Sequence, residues 1–321
     1  MKAVRIHERG ATDVMKFEEI ETPVPGAGEV LIKVAVAGIS YSDIGQRKGT
    51  YPNLVELPMT LGNEVAGTVV ARGPGVVDPM VGTRIVSLVD GGYAEYAIAR
   101  ANQVMPILDG VSFAQATVIP IQGQTAYLLL DKAAQLRQGE SILIHASSGG
   151  VGSLAVQLAQ SKGASLIIGS TSSHEKLDFV RSLGVQAVIN TNDDTWVEQV
   201  MQTTHGHGVN VVLDALGGSS SQQSIASLAP FGRMVVFGSL SDEPTMMVAQ
   251  QLISKCLTLV GYNTLIQPLE DQMRAGQAIM RGIARDQLKV TVRHSFPLEK
   301  VAAAHQAIED KQTYGKVVLT M

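Results

Sequence analysis

Along residues 1–120 the apolar positions alternate with polar ones over short runs. Ala3-Val4-Arg5-Ile6, Glu29–Ala37, Val65–Ala71, Thr83–Val89 and Tyr93–Ala99 read as strands, punctuated by Pro23, Pro25, Gly26 and Gly28. Few stretches there repeat at helical spacing, so the pattern predicts a largely antiparallel, barrel-like β domain. Near Pro120 the period changes. Ile121–Ala134 reads as a helix, Ser141–His145 as a strand, and Val151–Lys162 as a helix with an apolar stripe of Val151, Leu154, Ala155 and Leu158. Strands at Leu166–Gly169, Gln186–Ile189, Val209–Leu213 and Arg233–Phe237 then alternate with helices at His174–Leu183, Thr195–Thr203 and Ser220–Leu228. Short apolar strands separated by helices are what a parallel sheet covered on both faces requires. In the tail, Asp271–Gly282 and Leu298–Asp310 read as helices, Leu288–His294 and Lys316–Leu319 as extended. This tail is too short for a core of its own and is expected to complete the first domain. The expected division is 1–120 and 260–321 for a discontinuous β domain, with 121–259 as an α/β domain.

Composition narrows the function classes. The net charge of -4 gives no basic footprint for nucleic acid. One cysteine excludes a disulfide framework, a Cys-rich zinc site and an iron–sulfur cluster. Cys256 precedes an apolar run and is expected to be a buried, inert thiol. Of the seven histidines only His205 and His207 are close in sequence, in a glycine-flanked turn with no third ligand nearby, so no metal site is expected. No apolar run reaches the roughly 18–20 residues of a membrane span. The residues after Met1 read as a strand rather than a leader, and a cytoplasmic protein is the expectation.

The chemistry concentrates after the strand Ile142-Leu143-Ile144-His145. It runs into Ala146-Ser147-Ser148-Gly149-Gly150-Val151-Gly152 and then a helix. On the G-x-G-x-x-G pattern of a Rossmann-like dinucleotide site, the three positions are Ser147, Gly149 and Gly152, with the first glycine missing. Gly149 would let backbone approach a pyrophosphate, and Gly152 would let helix and sheet pack closely. The N–H groups of the first turn, from Gly150 and Val151 onward, would meet the phosphates, with Ser148 beside them. The next strand ends Ser170-Thr171-Ser172-Ser173-His174-Glu175-Lys176, with no acid at its tip to hold a ribose 2′-hydroxyl. Hydroxyls followed by Lys176 suit a 2′-phosphate instead, so NADPH is expected over NADH. Ser172 and Ser173 can also serve as helix caps. Leu216-Gly217 and Phe237-Gly238-Ser239 follow later strands at the same sheet edge and are expected along the ribose and nicotinamide path. Asp214 is as readily a cap for the following helix.

Six motifs then carry a resemblance: Ala37-Gly38-Ile39-Ser40-Tyr41-Ser42-Asp43, Gly49-Thr50-Tyr51-Pro52, Leu61-Gly62-Asn63-Glu64-Val65-Ala66-Gly67, Thr125-Ala126-Tyr127, Ser148-Gly149-Gly150-Val151-Gly152 and Gly315-Lys316-Val317-Val318-Leu319. Across the whole chain these resemble the zinc-free branch of the medium-chain dehydrogenase/reductase superfamily, the quinone oxidoreductase-like (zeta-crystallin-like) enzymes. The zinc branch places cysteine near Ser40–Tyr41 and histidine at Asn63, and this chain has neither. The resemblance implies a GroES-like β-barrel domain built from both chain ends around a Rossmann-like domain. It also implies a homodimer paired through an edge strand near Leu257–Tyr262. Ser40, where quinone oxidoreductases commonly carry asparagine, Gln124, Thr125 and Lys316 join the residues expected on the cofactor. The segment Gln46–Tyr51 with Gly62-Asn63-Glu64 is also similar to zinc-free 2-enoyl thioester reductases.

The implied reaction is hydride transfer from NADPH to a quinone or similar electron-poor carbonyl acceptor. The developing charge needs a donor within about 3 Å. Tyr51 is the expected donor, Tyr41 a second donor or wall, and Asn63 an orienting group. Reduction of an enone or 2-enoyl thioester at its C=C bond is the alternative. A structural protein that binds NADPH without turnover is the alternative from another class.

Overall fold

The computed structural model describes every residue except Pro52 and Asp242. Pro52, the last residue of the Gly49–Pro52 motif, therefore lies outside the described residues. The chain folds into two compact units, Met1–Gln124 with Leu269–Met321, and Thr125–Pro268. Both seams lie later than the sequence suggests. The reason at the second is Thr258–Gly261, whose strand pairs in parallel with Leu228–Val236 and so belongs to the α/β unit.

In the first unit the long strand Glu29–Ile39 organises the sheet. One edge pairs antiparallel with Glu64–Arg72. The other is shared, Tyr96–Arg100 taking its first half and Val317–Thr320 its last. The C-terminal strand thus completes the first sheet, with Val317 opposite Ile39. Its core joins Ile32, Val34, Val65, Val69 and Ile85 to Val317, Leu319 and Val301 from the tail. Among the elements that escaped the pattern is α1 (Tyr41–Lys48), only eight residues long. Ser40 caps it, with Asp43 at N3 returning the Ser40 N–H, and Gly49 ends it in the left-handed region at φ 83°. A second difference lies at Ile121–Ala134. There the helix is interrupted by wider turns at Ile119–Gly123 and Leu129–Ala133, with Gly123 N–H bonded to the Val118 carbonyl five residues back.

The second unit holds β1 (Ser141–Ile144), β2 (Leu166–Thr171), β3 (Ala187–Asn190), β4 (Val209–Asp214), β5 (Leu228–Val236) and β6 (Thr258–Gly261). Their spatial order is 3-2-1-4-5-6 and every pairing is parallel, the doubly wound Rossmann order. Leu143, Ile168, Val212 and Met234 meet Trp196, Val200 and Ile225 in its core. β1 continues into α2 (Gly150–Ser161), and β4 into α3 (Gly218–Ala226). Cys256 contradicts its expectation. It is exposed, in the left-handed conformation that ends the helix Ala249–Lys255, so the apolar run after it does not bury it. Among the described residues no helix is long and apolar enough to cross a membrane.

Candidate functional site

The glycine turn in the second unit opens a helix, the arrangement that a phosphate cradle requires. Gly149 is the N-cap of α2 and places no side chain over the helix start. The N–H groups of Gly150, Val151 and Gly152 therefore have no acceptor inside the helix. A Cβ at residue 152 would overlap the Ala146 carbonyl oxygen, which explains the glycine there. The missing first glycine also has a reason. The left-handed residue is Ala146, at φ 49°, and not Ser147. Ser147 instead turns inward and donates its hydroxyl to the Ile144 carbonyl at 2.7 Å.

Around this cradle the sheet brings together most residues expected on the cofactor. Ser148 and Thr171 hydroxyls stand 3.4 Å apart, tying the turn to the tip of β2. Ser172 and Ser173 are half-buried beyond that tip, Lys176 is buried, and Glu175 is exposed. At the ends of β4 and β5 the Leu240 N–H donates to the Ala215 carbonyl and Ser241 N–H to that of Leu216. Gly217 adopts φ 76° with ψ -177°, a conformation reserved for glycine, and its missing side chain leaves room for Ser239. Leu216, Gly217, Phe237, Gly238 and Ser239 thus share one edge. Asp214 is spent on structure, accepting the Leu216 N–H at 3.0 Å and the Ser221 hydroxyl. Thr125 accepts a hydrogen bond from the Thr264 hydroxyl at 2.9 Å.

Three residues expected on the cofactor belong to the first unit. Lys316 is enclosed, and its ammonium is paired with the equally enclosed Glu64 carboxylate. Its charge is thus partnered inside the β unit. Gly38 makes that pair possible, since a Cβ there would lie 2.6 Å from both Glu64 Oε1 and Lys316 Nζ. Burial pushes the Glu64 carboxyl up to about 7, against the pull of Lys316. Ser40 is buried, donating to Asp43 at 2.9 Å from its hydroxyl and at 2.7 Å from its N–H. Gln124 is buried as well.

A cavity of about 260 Å³ opens in the first unit, lined by Gln46, Val55, Met59, Thr60, Gly62, Asn63, Asp90 and Gly91. Asn63 is among the lining residues; Tyr41 and Tyr51 are not. Tyr41 is largely exposed at the start of α1. Tyr51 is half-buried, its ring lying where Gly45 offers space. Sequence reasoning passed over Gln46 as an individual residue. Its amide donates to the Asn53 carbonyl at 2.7 Å and accepts from the Val55 N–H at 3.3 Å, holding the 53–55 segment along the cavity. A lone glutamine on a short helix carries no sequence signal for that.

The donor set does not fit zinc. Ser40 and Asn63 offer a neutral hydroxyl and a carboxamide, and Glu64 is committed to Lys316. Among the described residues no group of three or more His, Cys, Asp and Glu is placed to hold a metal ion.

The model of the alcohol dehydrogenase GroES-like domain matches residues 26–109, and that of the zinc-binding dehydrogenase matches residues 150–273. The quinone oxidoreductase of Homo sapiens is 31% identical over 325 residues, covering 100% of this chain and 98% of its own. The 2-haloacrylate reductase of Burkholderia sp. is 30% identical, covering 99% and 98%. The Escherichia coli quinone oxidoreductase, solved in complex with NADPH, aligns with a TM-score of 0.94 at 30% identity, covering 100% of both chains.

Proposed function

Because the chain belongs to the quinone oxidoreductase family, the zinc-free branch of the medium-chain dehydrogenases/reductases, we propose that it reduces a quinone or similar electron-poor carbonyl acceptor with NADPH, in the cytoplasm. The observation that carries this reading is the likeness over the whole chain to an enzyme solved with NADPH, joined to a glycine turn that opens a helix at Gly149. Bound NADPH supplies hydride from C4 of its nicotinamide ring. The first-turn N–H groups of α2 and Ser148 would hold the pyrophosphate. Thr171, Ser172, Ser173 and Lys176 would hold the 2′-phosphate. Leu216, Gly217, Phe237, Gly238 and Ser239 would line the rest of the cofactor, with Thr125 and Gln124 near the nicotinamide.

On the acceptor side Asn63 lines the cavity, and its carboxamide orients the acceptor oxygen by donating to it. Neither Tyr51 nor Tyr41 lines this cavity; delivery of the proton by Tyr51 and a wall at Tyr41 are the roles that the family resemblance implies for them. The second reading is addition of hydride to a C=C bond conjugated to a carbonyl, which the likeness to a 2-haloacrylate reductase favours. Retention of NADPH without turnover is the reading from another class. A panel of quinones, enones and enoyl thioesters, run with NADPH and with NADH, separates the three. Oxidation of NADPH by quinones in preference to the others is expected. Absence of turnover with every acceptor sinks the enzyme reading.

The same proposal includes a homodimer paired through β6. That strand closes the sheet on one side, with Thr258, Leu259 and Gly261 exposed. An open edge of this kind is ordinarily covered. Light scattering on the wild type and on Leu259→Lys tests it; a wild type of one chain's mass removes the dimer.

A further inference from the structure

His145 sits between β1 and the glycine turn, is fully buried, and makes two side-chain hydrogen bonds. Its Nε2 lies 2.8 Å from the Ser224 hydroxyl on α3, and its Nδ1 2.8 Å from the Ser170 hydroxyl on β2. The protons in this chain can be placed. Ser224 has one hydroxyl proton and donates it to the Ser220 carbonyl at 2.9 Å. Ser224 therefore accepts from His145, and Nε2 carries the hydrogen. Burial disfavours the charged ring, and Asp214 only partly offsets this. A neutral ring with hydrogen on Nε2 has an acceptor at Nδ1, so Ser170 donates to it.

Two consequences meet at Ser170. Its single hydroxyl proton is spent inward, and the residue is enclosed, so Ser170 has no proton to give a 2′-phosphate. Its carbonyl accepts the Ser147 N–H at 2.8 Å, so the same residue anchors the glycine turn. The imidazole is itself clamped. Trp196 meets it edge-on, with ring centroids 5.4 Å apart, and Trp196 Nε1 donates to Gln223 on α3 at 2.9 Å.

We propose that His145 is a positioning residue for the cofactor. By holding Ser170 from within, it fixes the tip of β2 against the glycine turn and leaves the 2′-phosphate to Thr171, Ser172, Ser173 and Lys176. Ser170, expected from sequence as a cofactor contact, acts in this arrangement as the link between the two phosphate sites. The discriminating part of the proposal rests on the assignment of the 2′-phosphate to that segment.

The test measures dissociation constants of NADPH and NADH for the full-length protein by fluorescence titration. The variants are Ser224→Ala, His145→Gln and Lys176→Ala. Ser224→Ala removes one oxygen from the side of His145 away from β2. It is expected to weaken NADPH about three- to tenfold, the worth of one displaced hydrogen bond, and NADH less. His145→Gln is expected to act in the same direction. The wild-type nitrogen spectrum should show a neutral ring with hydrogen on Nε2. The proposal is overturned if folded Ser224→Ala and His145→Gln lose thermal stability while both nucleotide constants stay within about twofold. A spectrum with hydrogen on Nδ1 overturns it as well. If Lys176→Ala leaves the preference for NADPH unaltered, the 2′-phosphate assignment fails instead. His145 as anchor of the turn is then decided by whether Ser224→Ala weakens both nucleotides.

Discussion

In the first unit one enclosed cluster is built on ion pairs, and in the second another is built of hydroxyls gathered around a neutral ring. Lys316 pairs with Glu64, and Arg47 with Glu309, each within the β unit; Asp43 is enclosed beside Ser40. His145, Ser170 and Ser224 are linked without any formal charge. The difference has physical consequences. A buried ion whose partner is removed keeps its desolvation cost and loses its compensation. A buried hydroxyl that loses its partner forfeits about one hydrogen bond. The first cluster should therefore dominate stability, and the second should act on cofactor binding, where small displacements matter.

The largest effect tests the charged cluster. Lys316→Met should destabilise the protein by about 3–5 kcal/mol, because Glu64 is left without its ammonium. Adding Glu64→Gln should recover much of that loss, since both charges are then gone. Urea unfolding of the two single variants and the double variant gives the coupling. A Lys316→Met loss below about 1 kcal/mol would erase the contrast between the units. Next in size is Gly152→Ala in the second unit. Its methyl meets the Ala146 carbonyl, so a cost of about 1–3 kcal/mol is expected, with NADPH affinity falling more than the stability loss alone accounts for. Retained NADPH affinity in a folded Gly152→Ala protein would remove the close approach from the account of the cradle.

The two clusters also differ in how far they can be read from sequence. The strand–turn–helix at Ile142–Gly152 announces itself because each local requirement has a residue type: apolar strand, glycine at a close approach, apolar helix stripe. The parallel order follows from that alternation. Even there, the left-handed position fell on Ala146, a choice made by the route of the turn rather than by a glycine. The Lys316–Glu64 pair joins residues from opposite ends of the chain, and no spacing rule connects them. Only the return of Val317–Thr320 beside Glu29–Ile39 brings them together. Lys316 was consequently expected on the cofactor. The cavity is similar. Asn63 is singled out by its motif, but its neighbours Gln46, Thr60 and Asp90 meet only in the folded chain. Cys256 was misread because an apolar run after a residue does not fix which face that residue takes.

The pH dependence separates the clusters further. Glu64 moves from 4.5 to about 7 on folding, so the folded state binds more protons than the unfolded state between those values. Its contribution is present below 4.5 and is lost as pH rises through about 7. Burial raises Asp43 too, with the same sign. His305 has the opposite sign. Burial lowers it from 6.5 to about 3, so its contribution is present above 6.5 and is lost as pH falls toward 3. The two trends oppose each other across the overlap from 4.5 to 6.5. His305→Gln should therefore show a steeper fall in urea midpoint between pH 4.5 and 7 than the wild type. Parallel profiles would mean that His305 is not held neutral.

The smallest expected effect sets two single-oxygen deletions side by side. Tyr93→Phe removes a hydroxyl that stands 3.1 Å from His305 Nε2, and the edge-on ring contact at 5.8 Å remains. Ser224→Ala removes the hydroxyl on Nε2 of His145. Each removes a hydroxyl bonded to a histidine and to one further group, the Ser220 carbonyl for Ser224 and the Asp43 carboxyl for Tyr93, so each should cost about 1–2 kcal/mol. Equal stability losses make the pair informative, because function then reports position alone. NADPH affinity should fall in Ser224→Ala, whose chain of bonds ends on β2 and the glycine turn. It should stay near wild type in Tyr93→Phe, whose chain ends inside the β unit. A comparable loss of affinity in both would mean that general softening, rather than the His145 link, sets how tightly the cofactor is held.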